Sequence, residues 1–394
     1  MPPTNTDRCR AIFHVREPIL PISGSLTFRV NKLLEKMASF DISLILPSNQ
    51  NRELIDRKYQ GAKLTRSRVP VPRTGMLGKY VASLLFAFET SSMLAKAIES
   101  TRSCVLYGYG ASAAVALGVS RVRVPCVLDL FETELPYVMS EKSGLLKGPG
   151  KIIEKYVFSV ANRPECKITV ISDAIRQYIL TSYDVRSDIQ VIYDTTDPKL
   201  FSPIDYDAKI ADPIVAFTGD IYYRDGVDIL VKAMAIVNDD MPNVKLFLAG
   251  DGPYMPRILK LAENVGVLRN LIAPGWLPFR RLVGLLPHMI IGVAPARPML
   301  MNRLVIPRKV YEYMSAGAVT IASDLKAIHE IIKNKVSGLL VTPQDVQGFA
   351  EAILHLLKDR GLYTRLQLEG RKKIEKLSVD REVGRLLAII EDVT

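Results

Sequence analysis

Short apolar runs alternate with amphipathic helical stretches along the whole chain, and this alternation constrains the fold more than any other feature. The runs are rich in β-branched residues and begin at Ala11, Ile42, Ser103, Pro125, Lys167 and Ile189, and then at Pro213, Val244, Leu271, Met289, Val319 and Gly338. Apolar strands separated by helices are typical of parallel sheets that helices cover on both faces. The sequence therefore predicts the α/β class with doubly wound sheets.

The chain has 394 residues, more than one hydrophobic core usually organises, so we expect two domains. Residues 198–212 are rich in Pro and Asp and have neither the helical nor the strand period, which predicts a linker. The predicted domains are residues 1–197 and 213–377, each Rossmann-like, and residues 378–394 predict a final helix. Ligands of such sheets bind at the carboxyl ends of the strands, so two facing domains would enclose a cleft.

Composition and patterning exclude several classes of protein. Hydrophobic residues make up 48% of the chain and charged residues 24%, which is ordinary for a globular domain. The N-terminus has no apolar signal segment, and Pro and Gly interrupt the longest uncharged apolar run, so we expect neither a signal peptide nor a membrane span. The four cysteines are isolated, and neither they nor the four histidines have metal-ligand spacing. We therefore expect a cytoplasmic protein in a reducing compartment, without a metal.

The net charge of +11 comes mostly from the N-terminal half. Seven basic residues and no acidic residue lie from Arg57 to Lys79, and the apolar run YVASLLFAF follows from Tyr80. A basic run is usually a solvated face, and an apolar run of this length is usually a core helix. The alternative hypothesis is that this part of the chain docks peripherally on an anionic membrane to reach a lipid-linked acceptor. No nucleic-acid partner is expected.

Two patterns resemble nucleotide or metal sites but have low specificity. Residues 108–113, GYGASA, match the G-x-G-x-x-A dinucleotide fingerprint, and Asp129 follows about 20 residues later. In a chain with 24 glycines such a match arises readily by chance, so a tight turn between strand and helix is the favoured explanation. Asp205 and Asp207 could hold Mg²⁺, but they lie in the predicted linker, where a solvated loop is expected.

The second half contains stronger features of a phosphate site. Gly219 follows a strand, Gly226 precedes a helix, and Arg224 lies in the loop between them. Main-chain N–H groups at a helix start bind phosphate without a metal, and glycine allows close approach. From Asn264 to Tyr311 the chain contains seven basic residues and no acidic residue, as a site for a diphosphate anion requires.

Glu312 is the first acidic residue after this stretch, within PRKVYEYMSAG. A helix opened by Pro307 would place Arg308, Lys309 and Glu312 on one face. One interpretation is a surface helix with an exposed pair between Arg308 and Glu312, worth about 0.2–0.5 kcal/mol. The other is a ligand platform, because a carboxylate accepts two hydrogen bonds from a vicinal diol. With the preceding cations, the second interpretation predicts a site for a ribonucleoside diphosphate.

Together these motifs resemble the C-terminal domain of the family 4 retaining glycosyltransferases, which have the GT-B fold. The similarity rests on the strand-Gly219-loop-Gly226-helix order, LAGDGP, GWLP, a strand ending in proline, and YEYMSAG followed by VTIASD. It implies two Rossmann-like domains facing across a cleft, with the final helix, residues 378–394, crossing back to the first domain. It also implies metal-independent, hexosyltransferase-type transfer from a UDP- or GDP-linked sugar to a glycan or lipid-linked acceptor, with retention and without a cofactor.

Carried over residue by residue, the resemblance implies that Glu312 binds the donor ribose and that the backbone at Leu277 of GWLP reads the base. Lys309 would lie near the donor phosphates, and Gly24 stands at the position of the family's Gly-rich loop. Arg224, Lys309 and backbone N–H groups near Gly219 and Gly24 would then stabilise the leaving diphosphate. Glu132 is the candidate to orient the acceptor.

Some positions depart from the family pattern. The first Glu of the E-x7-E pair is replaced by Leu304 or Met299, depending on how the spacing is counted, and the histidine of the N-domain falls at Phe131. A non-catalytic scaffold subunit with this fold therefore stays as an alternative hypothesis, followed by an NAD-dependent oxidoreductase.

The loop after Gly219 departs as well, because Asp220 and Asp225 stand where the family has phosphate-binding cations. We predict that Arg224 turns toward the phosphates. We also predict that Asp225 caps the helix that starts near Gly226, since Asp is favoured at helix N-termini.

Overall fold

The computed structural model describes residues 9–16, 19, 25–37, 39–70, 76–101, 103–130 and 147–394. It divides into two compact units. Met1–Asp194 and Asp380–Thr394 form the first unit, and Thr195–Val379 form the second. Each unit has its own β-sheet.

The first unit is built on a seven-stranded parallel sheet with the order β3-β2-β1-β4-β5-β6-β7. Its strands are β1 (Arg10–Val15), β2 (Asp41–Leu46), β3 (Lys63–Arg66), β4 (Cys104–Tyr109), β5 (Cys126–Asp129), β6 (Cys166–Val170) and β7 (Ile189–Val191). Its described helices before the second unit are α1 (Ser25–Lys36), α2 (Arg52–Lys58), α3 (Met76–Glu99), α4 (Gly110–Ser120), α5 (Lys147–Ala161) and α6 (Asp173–Ser182).

The second unit is built on a six-stranded parallel sheet with the order β10-β9-β8-β11-β12-β13. Its strands are β8 (Ile214–Thr218), β9 (Lys245–Ala249), β10 (Leu271–Ile272), β11 (Ile291–Ala294), β12 (Val319–Ser323) and β13 (Leu339–Val341). Its helices are α7 (Tyr206–Ala211), α8 (Val227–Asp240), α9 (Met255–Asn264), α10 (Phe279–Leu285), α11 (Leu300–Leu304), α12 (Arg308–Ala316), α13 (Val346–Lys358) and α14 (Arg360–Glu375). The last helix of the chain, α15 (Val379–Asp392), belongs to the first unit from Asp380 onward.

The two parallel sheets confirm the predicted α/β class, and every predicted apolar run contains a strand. One strand, β3, was not predicted. Its sequence, KLTR, lies inside the basic run and has no apolar period, and the strand forms at the edge of the sheet by pairing with β2. Lys63 and Arg66 are exposed there. Charged side chains on an edge strand also discourage pairing with another chain, which is a structural reason for part of the basic run.

Helix α12 is fixed against the second sheet by Tyr313. This side chain is buried with Phe247 and Leu286, and it lies against Gly292 of β11. A Cβ at Gly292 would overlap the Tyr313 ring, so the glycine is required by packing. The Tyr313 hydroxyl also accepts a hydrogen bond from the Thr218 N–H at 2.8 Å. Because Thr218 is the last residue of β8, this contact joins α12 to the carboxyl end of that strand.

The expectation of isolated cysteines is wrong. Cys126 and Cys166 occupy paired positions on β5 and β6 and form a disulfide, with their Cα atoms 4.6 Å apart. They are 40 residues apart in sequence, so only the strand order brings them together. Because disulfides persist in oxidising compartments, this pairing gives no support to the expected reducing cytosol.

Residues 198–212, the predicted linker, lie within the second unit and contain a 3₁₀ turn, Pro198–Leu200, as well as α7. Helix α15 is held in the first unit by polar contacts. The Glu382 carboxylate accepts a hydrogen bond from the Tyr193 N–H at 3.0 Å.

Residues 81–99 of α3 are long and apolar enough to cross a membrane by length and composition, with 33% of the window buried. A core helix meets the same criterion, so α3 alone does not decide between the two predicted roles of the apolar run.

Candidate functional site

The topological switch point of the second sheet lies between β8 and β11. β9 and β10 extend the sheet on one side of β8, and β11, β12 and β13 extend it on the other. Loops that leave the carboxyl ends of two such strands diverge and open a crevice, where α/β proteins bind ligands. Gly219 directly follows β8, and Pro295 directly follows β11.

Gly219 brings the end of β8 next to Lys309 of α12. Its φ of +107° is one that residues with side chains rarely adopt. A Cβ at this position would lie 3.6 Å from both Cε and Nζ of Lys309, with no other atom as near. The open side of this glycine therefore faces the lysine ammonium.

The neighbouring glycines have a different role. A Cβ at Gly250 would overlap the carbonyl oxygen of Gly219, and one at Gly252 would overlap that of Ile221. A Cβ at Gly226 would overlap the carbonyl oxygen of Pro295. These glycines let the loops after β8, β9 and β11 pack backbone against backbone. Gly226 was predicted to let a phosphate approach the helix start, but the group that lies against it is the Pro295 carbonyl of the β11 loop.

Lys309 carries a charge in a poorly solvated place. Its Nζ lies 3.6 Å from the centroid of the Phe217 ring, a cation–π contact. Burial lowers the pKa of the Lys309 ammonium, and the carboxylates of Asp225 and Asp220 oppose that shift. Because Lys309 is only partly exposed to water, its charge interacts more strongly with an anion that enters than a fully solvated charge would.

In the loop between Gly219 and α8, the predicted role of Asp225 is wrong and the predicted role of Arg224 is not tested. The Asp225 carboxylate accepts a hydrogen bond from the Tyr222 N–H at 3.0 Å, so it closes the 3₁₀ turn Tyr223–Asp225. It does not cap α8, whose N-cap is Gly226 in the left-handed conformation. Burial raises the pKa of Asp225, while the Lys309 charge lowers it. The Arg224 guanidinium stacks on the Tyr222 ring at 4.4 Å, and its direction toward phosphates stays a prediction.

Arg297, one of the basic residues of the acid-free stretch, makes structural contacts within the second unit. Its guanidinium forms a bidentate pair with Asp228 of α8 at 2.9 and 2.6 Å and donates to the Tyr223 carbonyl at 2.6 Å. Asn302 donates to the Arg224 carbonyl at 2.9 Å. These contacts hold the loop that carries Arg224, and they remove Arg297 from the set of cations available to a ligand.

Glu312 fits neither interpretation of its helix completely. The predicted pair with Arg308 is confirmed, with Nε and Oε1 3.0 Å apart. The surface location is wrong, because Glu312 is 7% exposed and every residue from Val310 to Ala316 is buried. Buried pairs cost desolvation energy and are weak evidence for stability alone. A buried carboxylate one turn from Lys309 is what a ligand platform requires.

Leu277 and Phe279 pack against the buried cluster that contains Tyr313 of α12. The Arg308 guanidinium lies 5.1 Å from the centroid of the Phe279 ring. The GWLP segment therefore lies near the face of α12 that carries Arg308 and Glu312.

Two predicted residues of the first unit, Gly24 and Glu132, lie outside the described residues, as does Phe131. Asp129, the acid of the dinucleotide fingerprint, is buried. It pairs with Arg29 at 3.1 Å and accepts hydrogen bonds from Tyr107 and Thr169. This carboxylate ties strands β4, β5 and β6 to α1, which leaves the fingerprint without a ribose acceptor. No cluster of His, Cys, Asp and Glu that could hold a metal occurs among the described residues.

Sequence reasoning missed the residues that hold the site together. Asp228, Asn302 and Tyr313 each make a contact with a partner more than 60 residues away in sequence. No local motif predicts these contacts. The one local signal is that Asp228 is an acidic residue in the first turn of α8, where acidic residues are favoured.

Comparisons with known proteins relate part of this chain to a family. The sequence model of the family described as "Glycosyl transferases group 1" matches residues 212–359, which contain the β8 and β11 loops and all of α12. This part of the chain is similar to the group 1 glycosyltransferases. It is 23% identical to an uncharacterized glycosyltransferase of Methanocaldococcus jannaschii over 273 residues, covering 66% of this chain and 67% of that protein.

Solved structures share the GT-B fold of this chain. Sucrose-phosphate synthase from Thermosynechococcus elongatus aligns with a TM-score of 0.76 and 17% identity, covering 98% of this chain and 100% of the other. HepE from Anabaena, in complex with UDP and glucose, aligns with a TM-score of 0.71 and 15% identity, covering 97% and 100%. At these identities the similarity shows the fold alone.

Proposed function

We propose that this protein is a group 1 glycosyltransferase that transfers a hexose-type sugar from a UDP- or GDP-linked donor to a glycan or lipid-linked acceptor, with retention of configuration and without a metal. The observation that carries the proposal is the position of Lys309. Its poorly solvated ammonium faces the open side of Gly219 at the switch point, and Glu312 follows one turn later on the same helix.

In the proposed complex, Lys309 and Arg224 stabilise the negative charge that develops on the leaving diphosphate. Fixed charges in a site with little water are worth far more than the same charges in water. The bond between the sugar carbon and the phosphate oxygen breaks as the acceptor oxygen bonds to that carbon on the same face. The acceptor proton passes to the leaving phosphate, so the step requires no strong side-chain base.

The remaining assignments concern recognition of the donor and acceptor. Glu312 accepts hydrogen bonds from the donor ribose, and the backbone at Leu277 lies against the base. Glu132 and Gly24 stay predictions for acceptor orientation and phosphate contact. The UDP bound in HepE, a protein of the same fold, supports a uridine nucleotide as the first candidate.

A thermal-shift panel of UDP, GDP and NAD, each with and without Mg²⁺, tests this proposal. A ligand at 100 times its Kd adds about 2.7 kcal/mol to the free energy of unfolding, which is a measurable rise in Tm. We expect a shift with UDP or GDP that does not depend on Mg²⁺. A shift with NAD alone would favour the oxidoreductase, and a shift that requires Mg²⁺ would contradict the metal-independent mechanism.

The second candidate function is a non-catalytic scaffold with the same fold. Two observations favour it: Arg297 is locked by Asp228, and the Glu312 carboxylate is paired with Arg308. If the chain is a scaffold, none of the three nucleotides should raise Tm.

We also propose that the first unit contacts an anionic membrane surface through α3. Val81, Leu85 and Phe88 form an apolar stripe on one face of this helix and are 45%, 54% and 57% exposed. Glu89 accepts hydrogen bonds from the Ser67 hydroxyl and the Arg68 N–H, so Arg68 of the basic run lies beside the stripe. Apolar side chains next to cations are the pattern of surfaces that dock on anionic lipid.

Co-sedimentation with vesicles tests this contact. Wild-type protein should bind vesicles that contain phosphatidylserine at low salt and release as salt increases, because the basic residues lie within a Debye length of the lipid. Leu85→Ser with Phe88→Ser should weaken binding, whereas Ser92→Ala on the same face should not. No binding at low salt, or binding that does not weaken as salt increases, would overturn the proposal.

A further inference from the structure

The C-terminal end of α12 carries an unusual concentration of hydrogen-bond donors. Gly317 is its C-cap, in the left-handed conformation with φ +72°. The Gly317 carbonyl oxygen accepts from Lys209 Nζ at 2.6 Å, from Gln367 Nε2 at 2.9 Å and from the Tyr363 hydroxyl at 3.1 Å. A carbonyl oxygen has two lone pairs, so three donors are more than it needs.

A second carbonyl of the same helix end is also engaged. Arg371 of α14 donates to the Ser315 carbonyl at 2.8 Å. The last carbonyls of a helix have no partner within the helix and carry a partial negative charge. Two cations, one from α7 and one from α14, therefore converge on the negative end of the helix.

Lys209 is the less expected of the two, because it is 2% exposed. Among the described residues it forms no ion pair, and its ammonium is held by the Gly317 carbonyl and the Tyr363 hydroxyl. Burial lowers its pKa to about 7, and Asp205 opposes the shift. Burying a charge without an ion-pair partner costs desolvation free energy. We therefore expect a function that explains why Lys209 lies at the end of α12.

The helix that these donors hold is the one that carries the donor-binding residues. Lys309 lies in the first turn of α12, Glu312 in the next, and Gly317 ends the helix. Nine residues of α-helix form a short rigid rod, so a displacement of one end moves the other. The Tyr313 contact with Thr218 fixes the middle of the rod to β8.

We propose that Lys209 is a positioning residue for the donor site: with Tyr363, Gln367 and Arg371, it anchors the C-terminal end of α12 and thereby sets the position of Lys309 and Glu312. This inference rests on the proposed function for the identity of the ligand. The anchoring of α12 itself does not depend on the ligand.

Two substitutions of similar size separate the hydrogen bond from packing. Lys209→Met removes the donor, and Lys209→Gln keeps an N–H donor without the charge. Tyr363→Phe is a second way to remove a donor from Gly317 if the Lys209 variants fold poorly. Lys232→Met, on the exposed face of α8, is the matched control.

The experiment combines hydrogen exchange of the full chain with calorimetric titration of UDP and GDP. In Lys209→Met we expect amides of residues 308–318 to exchange about tenfold faster, since loss of an anchor permits local opening. Nucleotide Kd should rise about fivefold to tenfold, because a binding-competent arrangement that is less populated binds more weakly. Lys209→Gln should restore part of both effects, and Lys232→Met should change neither.

Each outcome decides one part of the inference. Unchanged exchange of residues 308–318 in both Lys209→Met and Tyr363→Phe would overturn the anchoring, whatever binds. Faster exchange with unchanged Kd would overturn the link between the anchor and the site. Wild-type protein that binds neither UDP nor GDP would instead contradict the proposed function, while hydrogen exchange still tests the anchor.

Discussion

The ammonium of Lys309 lies 3.6 Å from the point at which a side chain on Gly219 would begin. Gly219 directly follows β8 at the switch point and Lys309 lies in the first turn of α12, so the pair joins the sheet to the helix that carries Glu312. A poorly solvated cation beside exposed backbone is suited to a phosphate group.

Lys309→Met should abolish most nucleotide binding. Met keeps the length of the side chain but loses the charge, so we expect the Kd for UDP or GDP to rise at least about tenfold, the loss of one charge-assisted hydrogen bond. Calorimetric titration measures the effect. Lys260→Met, an exposed lysine on α9, is the control and should bind as the wild type does. If Lys309→Met bound UDP or GDP with the same Kd as the wild type, the phosphates would not bind at Lys309.

Glu312→Gln should weaken donor binding while the fold survives. Charge-assisted bonds to the ribose diol are worth about 1.5–3 kcal/mol each, so affinity should fall at least tenfold. Because the buried ion pair between Arg308 and Glu312 is lost, the free energy of unfolding should also fall.

A double variant separates these two effects. Adding Arg308→Met to Glu312→Gln removes the buried charge that has lost its ion pair with residue 312, so chemical denaturation should show recovered stability while calorimetry shows no recovered affinity. Recovery of both would mean that Glu312 serves only as the partner of Arg308.

Arg224→Ala and Asp225→Asn should differ in transfer activity. Arg224 is the predicted phosphate cation of its loop, so its loss should lower kcat/KM about tenfold or more. Asn at position 225 can still accept from the Tyr222 N–H, so the turn and most activity should remain. Steady-state kinetics with the donor that the thermal-shift panel selects measures both. Wild-type kcat/KM in Arg224→Ala would assign the charge to Lys309 alone.

The pKa of Lys209 predicts a pH dependence of stability. The folded-state pKa is lowered from 10.5 to about 7, so between these values the unfolded chain binds more protons than the folded chain. The cost of the buried charge is complete below pH 7 and is relieved as pH rises toward 10. Wild-type stability should therefore increase relative to Lys209→Met over this window, as measured by urea denaturation. A difference independent of pH would show that Lys209 does not titrate there.

Much of the fold follows from local pattern, and the exceptions have physical causes. The apolar runs predicted strands correctly because buried parallel strands must be apolar on both faces. Strand β3 was missed because an edge strand can be polar, and the disulfide was missed because it depends on strand order.

The site was predictable in part for the same reason. The Arg308–Glu312 pair follows from helical spacing, whereas the Arg297–Asp228 pair joins residues 69 apart. The predicted cap by Asp225 was wrong because Gly226 takes the N-cap position with positive φ. The contact between Tyr313 and Gly292, which fixes α12 against the sheet, joins residues that no local pattern connects, and the burial of Glu312 was not predicted either.

The binding of a nucleotide between β8 and α12 is best tested by a crystal structure of the protein with millimolar UDP or GDP. We expect the diphosphate within hydrogen-bond distance of Lys309 Nζ and the backbone at Gly219, with the ribose hydroxyls on the Glu312 carboxylate. A nucleotide bound away from β8 and α12, or no nucleotide bound at that concentration, would contradict this expectation.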